Sequence, residues 1–252
     1  MFYSKRLKKF KNLNHCFFSR RGGYSSGLYK SLNCGKGSRD KRKNILKNLE
    51  YVSKKMYVKK KRLILMHQTH SNKVVEINEK NLDKNINSDA MITRYKKVAL
   101  GVLTADCVPI LVYDKRNKII GCIHAGWRGA LSGIIKKTII KIKRKNSRYD
   151  IFASVGPCIS IKSYEVDLNF YKKFLAKAKK NEKYFKNKNK NKNKKIFNLR
   201  EYVNDKLLEL NVKVDHVNRD TYREKKNFFS YRRSSKLKQN DYGRCISTIS
   251  MI

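Results

Sequence analysis

Apolar positions along this chain fall into short runs with two different periods. Three strand-like runs lie close together, at 98–103, 108–113 and 119–124. The last two flank the polar segment Asp114-Lys115-Arg116-Asn117-Lys118, which reads as a hairpin loop. After a tight turn at 125–129, Leu131, Ile134, Ile135, Ile139 and Ile142 recur at helical spacing up to residue 143. Strand, glycine-containing turn and helix in that order predict free backbone N–H groups close to His124, a place suited to an anion. Further strands are predicted at 62–66, 73–78, 151–155, 212–217 and 245–252. Helices are predicted at 41–49, at 168–180 and from the capping box Asn198-x-x-Glu201 to about 210. Residues 17–27 follow a short strand as a turn-rich loop with a Gly22-Gly23 pair.

Strands and helices mix without clean alternation and no repeat is evident. The expected fold is α+β (mixed α/β), with mixed β-sheets covered by helices in a single domain. Residues 1–14 read as a basic N-terminal leader preceding a domain at 15–252. The Lys/Asn alternation at about 186–195 reads as a low-complexity, disordered insertion.

Composition narrows the class. The chain has 252 residues, 40% of them hydrophobic, enough for a sizeable core. The longest apolar stretch, 98–113, is broken by Thr104, Asp106 and Pro109, so no membrane span is expected. No secretory signal is seen, and six cysteines without a CxxC pair argue against a disulfide framework. A reducing cytoplasm is the expected compartment. The formal net charge is +43, but the lysines are spread along the whole chain, and Lys, Asn and Ile are all residues of adenine- and thymine-rich codons. The charge therefore reads as a solvated basic surface with salt-sensitive sticking to RNA, and no specific nucleic-acid partner is expected.

The chemistry concentrates at three strand ends. Cys107 follows Ala105-Asp106, His124 precedes Ala125-Gly126-Trp127-Arg128-Gly129, and His70 ends the segment 63–70. A thiolate and two imidazoles suit zinc, and three protein ligands leave the fourth tetrahedral position open, as in a catalytic site. Two other readings stay open on spacing alone. The three residues also read as a buried thiol and hydrogen-bonded histidines, and Cys107 with a histidine reads as the nucleophile of a cysteine hydrolase.

A longer series of motifs occurs in one order. It runs Ser19-Arg20-Arg21-Gly22-Gly23, Ser31-Leu32-Asn33, His67-Gln68-Thr69-His70-Ser71, Ser88-Asp89-Ala90-Met91, Thr104-Ala105-Asp106-Cys107-Val108-Pro109-Ile110 and His124-Ala125-Gly126-Trp127-Arg128-Gly129. It continues with Gly156-Pro157-Cys158-Ile159, Tyr164-Glu165-Val166 and Phe229-Ser230-Tyr231-Arg232-Arg233. The series resembles the family first labelled laccase-domain or polyphenol oxidase, and now regarded as zinc-dependent purine nucleoside phosphorylases. The resemblance implies metal ligation by His70, Cys107 and His124. It also implies phosphorolysis of adenosine, and of inosine, guanosine and 5'-methylthioadenosine, to base and sugar 1-phosphate; adenosine deaminase activity is attributed to such proteins too. The departures are small: Ser71 stands where Gly is more usual, and Thr69 where Val is.

Other residues carry weaker expectations. Asp106 is read as a carboxylate partner for a metal-bound imidazole or as a base. Arg128, Arg20 and Arg232 are candidates for phosphate, and Asn33 for sugar or base. Trp127 is read as a stacking surface or as a buried ring. His67 reads as a packed or exposed side chain, and His15 and His216 as structural. A multicopper laccase needs many imidazoles, and this chain has five, so copper is expected at most as an adventitious ion in vitro. Remaining alternatives are an amide hydrolase editing peptidoglycan precursors and a basic RNA-binding protein. The expected assembly is a monomer or homodimer.

Overall fold

The apolar runs at 108–113 and 119–124 have almost no polar positions, the pattern of strands covered on both faces. A computed structural model, describing residues 1–143, 148–188 and 193–252, shows why. The elements in chain order are β1 (Leu13–Phe17), α1 (Arg42–Lys55), β2 (Leu63–His67), β3 (Val74–Glu76), β4 (Ile86–Asn87), β5 (Ala90–Thr93), β6 (Ala99–Thr104), β7 (Val108–Asp114) and β8 (Ile119–Ala125). They continue with α2 (Trp127–Leu131), α3 (Ile134–Lys143), β9 (Ile151–Val155), β10 (Glu165–Asp167), α4 (Leu168–Lys177), β11 (Phe185–Asn187), β12 (Lys194–Phe197), α5 (Leu199–Leu208), β13 (Lys213–His216), α6 (Tyr231–Lys236) and β14 (Cys245–Met251).

Two large sheets stack face to face. One has the order β1-β14-β6-β2-β4, the other β13-β9-β7-β8-β5-β3. Each strand sends alternate residues to opposite sides. Leu111 and Tyr113 of β7 and Ile120 and Cys122 of β8 meet Leu100 and Val102 of β6 and Ile249 of β14 between the sheets. Val108, Ile110, Val112, Ile119 and Ile123 face outward and are covered by Ile134, Ile135, Ile139 and Ile142 of α3 and by Val203 and Leu207 of α5. The far side of the other sheet is closed by Ile45, Leu49 and Val52 of α1, packed on Ala99 and Ile246. The layers are helix, sheet, sheet, helices, and they make one α+β domain, as the mixed pattern predicts. A smaller sheet, β10-β12-β11, sits beside α4 in a cluster of Phe170, Phe174, Phe185 and Phe197. Among the described residues no helix is long and apolar enough to cross a membrane.

Several expectations shift. The helix expected at 131–143 starts later, as α3 at Ile134; the short α2 precedes it, and the two are parted at Gly133, whose φ of +91° favours a residue without a Cβ. Residues 189–192, the middle of the Lys/Asn segment, lie outside the described residues. Its flanks are paired, since β11 and β12 run antiparallel with Phe185 opposite Phe197. Phe185 and Phe197 anchor the two strands in the aromatic cluster, which pattern alone did not reveal.

Residues 1–14, expected as a separate leader, are built into the fold. Phe2 and Phe17 exchange backbone hydrogen bonds at 2.9 Å. The Ser4 hydroxyl meets the Asp215 carboxylate at 2.8 Å, and Leu7 is fully buried between the sheets. Phe10 packs on Tyr113 and Phe152. The apolar side chains alternate with lysines that stay in solvent, and this spacing was masked by the charge. His15 is structural, as read: burial pulls its pKa down to about 4, and its neutral Nε2 accepts from Ser4 N at 2.9 Å. Leu7→Ala should lower unfolding free energy by about 2–5 kcal/mol, the range for truncating a buried leucine. Denaturant titration checks this; an unchanged midpoint would mean that the segment is a free appendage after all.

Candidate metal centre

Strand pairing places the chemistry. In the β7–β8 hairpin Pro109 lies opposite His124, so Cys107, just before β7, sits beside the end of β8. On the other side of β8, β5 runs antiparallel with Ala90 opposite Ile123, which brings Asp89 to His124. Backbone joins them first, His124 N donating to Asp89 O at 2.7 Å. The loop after β2 then folds over the same point. His70, with φ of +60°, turns its ring toward the pair, and the His70 and His124 rings meet edge to face at 4.7 Å.

The donor atoms of His70, Cys107 and His124 all lie within 4.8 Å of one another. Cys107 Sγ and His70 Nε2 are 3.8 Å apart, close to the separation of roughly 3.5 Å expected for two ligands of a tetrahedral zinc with bonds of about 2.0 and 2.3 Å. His124 is buried, Cys107 half-buried and His70 exposed, so the group opens to solvent on the His70 side.

Asp89 organises this centre. Fully buried, its carboxylate accepts from His124 Nδ1 at 2.8 Å, His70 N at 3.0 Å, Ser71 N at 2.6 Å, Ser71 Oγ at 2.7 Å and Thr69 N at 3.2 Å. Burial alone would raise its pKa; the His124 and Ser71 hydrogen bonds overcome that and hold it well below the usual carboxylate range. An ionised carboxylate only accepts, so the His124 proton sits on Nδ1 and Nε2 faces Cys107 and His70. Ser71 supplies two of these donors, its backbone N–H and its hydroxyl.

Burial pushes the Cys107 thiol up, yet His124 and His70 outweigh it and bring the thiol down to about 6. Burial pulls His124 down, yet Cys107 and Asp89 raise it to about 9. Thiolate and imidazolium therefore stabilise each other. Gly126 leaves room for the group, because a Cβ there would stand 2.7 Å from His70 Cδ2 and 3.0 Å from Cys107 Sγ. A soft thiolate, two imidazoles, a fixed tautomer and this cleared space together fit a metal ion.

The other expected residues divide. Asp106 does not meet either imidazole. Its φ of +90° turns the carboxylate to the opposite side, where it accepts from Thr221 Oγ1 at 2.7 Å, Ser230 Oγ at 2.9 Å and Arg232 N at 2.7 Å. Burial raises its pKa against those donors. The imidazole partner is Asp89, whose only sequence signal was an acid directly before an apolar strand. Arg232 reaches the Glu165 carbonyl at 2.6 Å and lies 5.3 Å from the Tyr164 ring. Burial raises the phenols of Tyr164 and Tyr242, and the charge of Cys107 raises both further. Tyr242 had no distinguishing sequence pattern.

Asn33 is fully buried and its amide is spent. It donates to Ser38 Oγ and Asp40 Oδ2 and accepts from Gly35 N and Arg244 N, leaving nothing for a sugar or base. The Arg20 guanidinium bonds the carbonyls of Leu28, Lys30 and Lys225 and lines a cavity that none of the three metal-ligand candidates borders. Arg128 is exposed beside the Trp127 ring, and Trp127 packs on Phe170 rather than standing free. The helix expected to present N–H groups near His124 is the five-residue α2. His67 is exposed and His216 bonds Asn204 Oδ1, both outside the ligand group.

Fold and site together define an α+β protein with a His–Cys–His group at the end of a sheet. The chain belongs to the multi-copper polyphenol oxidoreductase laccase family, whose sequence model matches residues 14–252. It is 37% identical over 195 residues to a protein of Rickettsia prowazekii named purine nucleoside phosphorylase, covering 75% of this chain and 78% of that one. It is 30% identical over 240 residues to a protein of that name from Haemophilus influenzae, covering 95% and 94%. A crystal structure of a Neisseria meningitidis protein superposes with a TM-score of 0.85 at 29% identity, covering 96% of this chain and 95% of that one. A Bacillus licheniformis hypothetical protein shares the fold, with a TM-score of 0.87 at 24% identity over 95% and 93%. The family's multi-copper description does not fit the donor set. Among the described residues, His70, Cys107 and His124 form the one group of three or more candidate ligands.

Asp89→Asn should weaken metal affinity about 10–100-fold, as loss of an imidazole's carboxylate partner does elsewhere; competition against a chromophoric chelator reads this. Metal binding requires thiolate and neutral imidazole. At pH 7 Cys107, at about 6, is already mostly ionised, while His124, at about 9, must give up its Nε2 proton. Zinc titrations in buffers of different ionisation enthalpy should therefore show proton release at pH 7, rising further and with falling affinity below pH 6.

Proposed function

We propose that this protein is a zinc-dependent purine nucleoside phosphorylase. It cleaves adenosine, and also inosine, guanosine and 5'-methylthioadenosine, with phosphate to give base and sugar 1-phosphate. The carrying observation is the His70, Cys107 and His124 group, oriented by Asp89 and open on the His70 side. The names of the Rickettsia and Haemophilus relatives support the same activity.

In this reading His70 Nε2, Cys107 Sγ and His124 Nε2 hold the ion, which when bound supplies a Lewis acid to polarise a reactant. Phosphate forms its new bond to C1' as the bond from C1' to the base nitrogen breaks, and the departing base takes up a proton. Arg232, beside Tyr164, and Arg128 are the cations proposed to hold phosphate for that displacement. Asp106 is a positioning residue here, tying Thr221, Ser230 and the Arg232 backbone into one wall behind Cys107. Asn33 and Arg20, whose polar groups are engaged elsewhere in the chain, are given no part in this reading.

One observation favours a second reading. A thiol lowered to about 6 beside a protonated imidazole is also the resting state of a cysteine nucleophile. The two readings separate on metal, because a thiolate bound to zinc is a poor nucleophile.

Purified protein should release adenine from adenosine only when phosphate is added. Chelation and Cys107→Ser should each lower turnover by at least about 100-fold, the scale of losing a principal catalytic group. Phosphate-independent release, or full activity after chelation, would overturn the phosphorylase. Turnover that survives chelation but is lost to thiol alkylation would establish the cysteine enzyme.

A further inference from the structure

We propose that the cavity between the 20–31 loop and residues 225–226 binds a chain of phosphates, at a site separate from the metal centre. The cavity measures about 390 Å³ and is lined by Arg20, Arg21, Gly27, Lys30, Ser31, Lys225 and Lys226. Five of these seven residues are cationic and none is acidic. Across the chain 62 of 252 residues are Lys or Arg, so this lining is much richer in positive charge than the protein as a whole.

The charges are also uncompensated. Among the described residues none of the five has a carboxylate within ion-pair distance. Like charges gathered around one hollow repel, and a polyanion relieves that repulsion.

The walls are held in place beforehand. Arg20 N donates to Asn227 O at 2.7 Å, and its side chain reaches Lys30 O at 2.6 Å and Lys225 O at 3.3 Å, linking the two segments. Its guanidinium rests 4.2 Å from the Phe229 ring. Arg21 Nε bonds Lys226 O at 3.0 Å, which leaves both Nη groups for a ligand. Lys30, Lys225 and Lys226 are exposed residues, and an ammonium group carries three donors. A rigid basic hollow of this kind recognises anions by charge and by arginine geometry.

Size and charge select the ligand class. Cavities for small molecules run from about 300 to 1,000 Å³, so the space exceeds a single phosphate. Two held arginines and three lysines match an oligophosphate, whether a free inorganic chain or the triphosphate of a nucleotide. This inference does not depend on phosphorolysis at the metal centre.

Calorimetry with sodium tripolyphosphate, ATP and orthophosphate tests it on the full chain at about 0.15 M salt, where loosely spread surface charge is screened. The variant Lys30→Gln/Lys225→Gln/Lys226→Gln should bind tripolyphosphate at least tenfold more weakly than the unaltered protein. A control of equal charge change, Lys59→Gln/Lys61→Gln/Lys80→Gln, should bind it as before. Thermal melts confirm that both are folded. A matching loss for ATP would identify nucleotide triphosphates as a source of the ligand, and a loss for tripolyphosphate alone would identify the free chain; either supports the site. Equal losses in both variants, no loss in the first, or orthophosphate binding as tightly as tripolyphosphate would each overturn it. So would a uridine oligonucleotide that binds far more tightly than tripolyphosphate and depends on the same three lysines, which would assign the cavity to RNA.

Discussion

A single buried carboxylate holds the candidate centre together. Asp89 lies where three parts of the chain meet: the strand it precedes, the neighbouring strand that carries His124 near its end, and the 69–71 loop wrapped over both. Removing a carboxylate from water is unfavourable unless its lone pairs are satisfied. Here backbone N–H groups, a hydroxyl and an imidazole satisfy them. The left-handed backbone of His70, a conformation that costs of order 1–3 kcal/mol for a residue with a Cβ, persists because these bonds determine it. The ring that completes the ligand group is thus aimed by an acid it does not touch through its side chain.

Asp106 plays a parallel part on the other side of Cys107. Next to the thiol in sequence, it turns away and gathers residues from 221 to 232. Two acids therefore brace the centre from opposite directions, one through ligands and one through the wall behind them. The difference between them is backbone direction: the residue before a strand shares the sheet's side-chain alternation, whereas a residue with φ of +90° leaves it.

Much of this was legible in the chain. The paired runs that became β7 and β8 announce two-sided burial by their lack of polar positions, and the three candidate ligands sit near their ends and just after β2. The α3 stripe of isoleucines could be read directly from its spacing. What remained hidden depends on partners distant in sequence. Asp89 looks like any acid before a strand until β5 is set against β8. Asn33 looks available until Arg244, more than two hundred positions later, is seen donating to it. The segment around Leu7 looks like a solvated basic tail because Lys5, Arg6, Lys8, Lys9 and Lys11 are interspersed among the side chains that pack.

The sheet order has a bearing on how the molecule comes into being. β14 lies between β1 and β6, so the strand that joins those two is translated after every other strand described. All three ligand candidates and Asp89 leave the ribosome well before residue 245, when β6 still lacks that neighbour. The nascent chain can gather its ligands early, but the layer supporting β2 and β6 closes only when synthesis reaches β14.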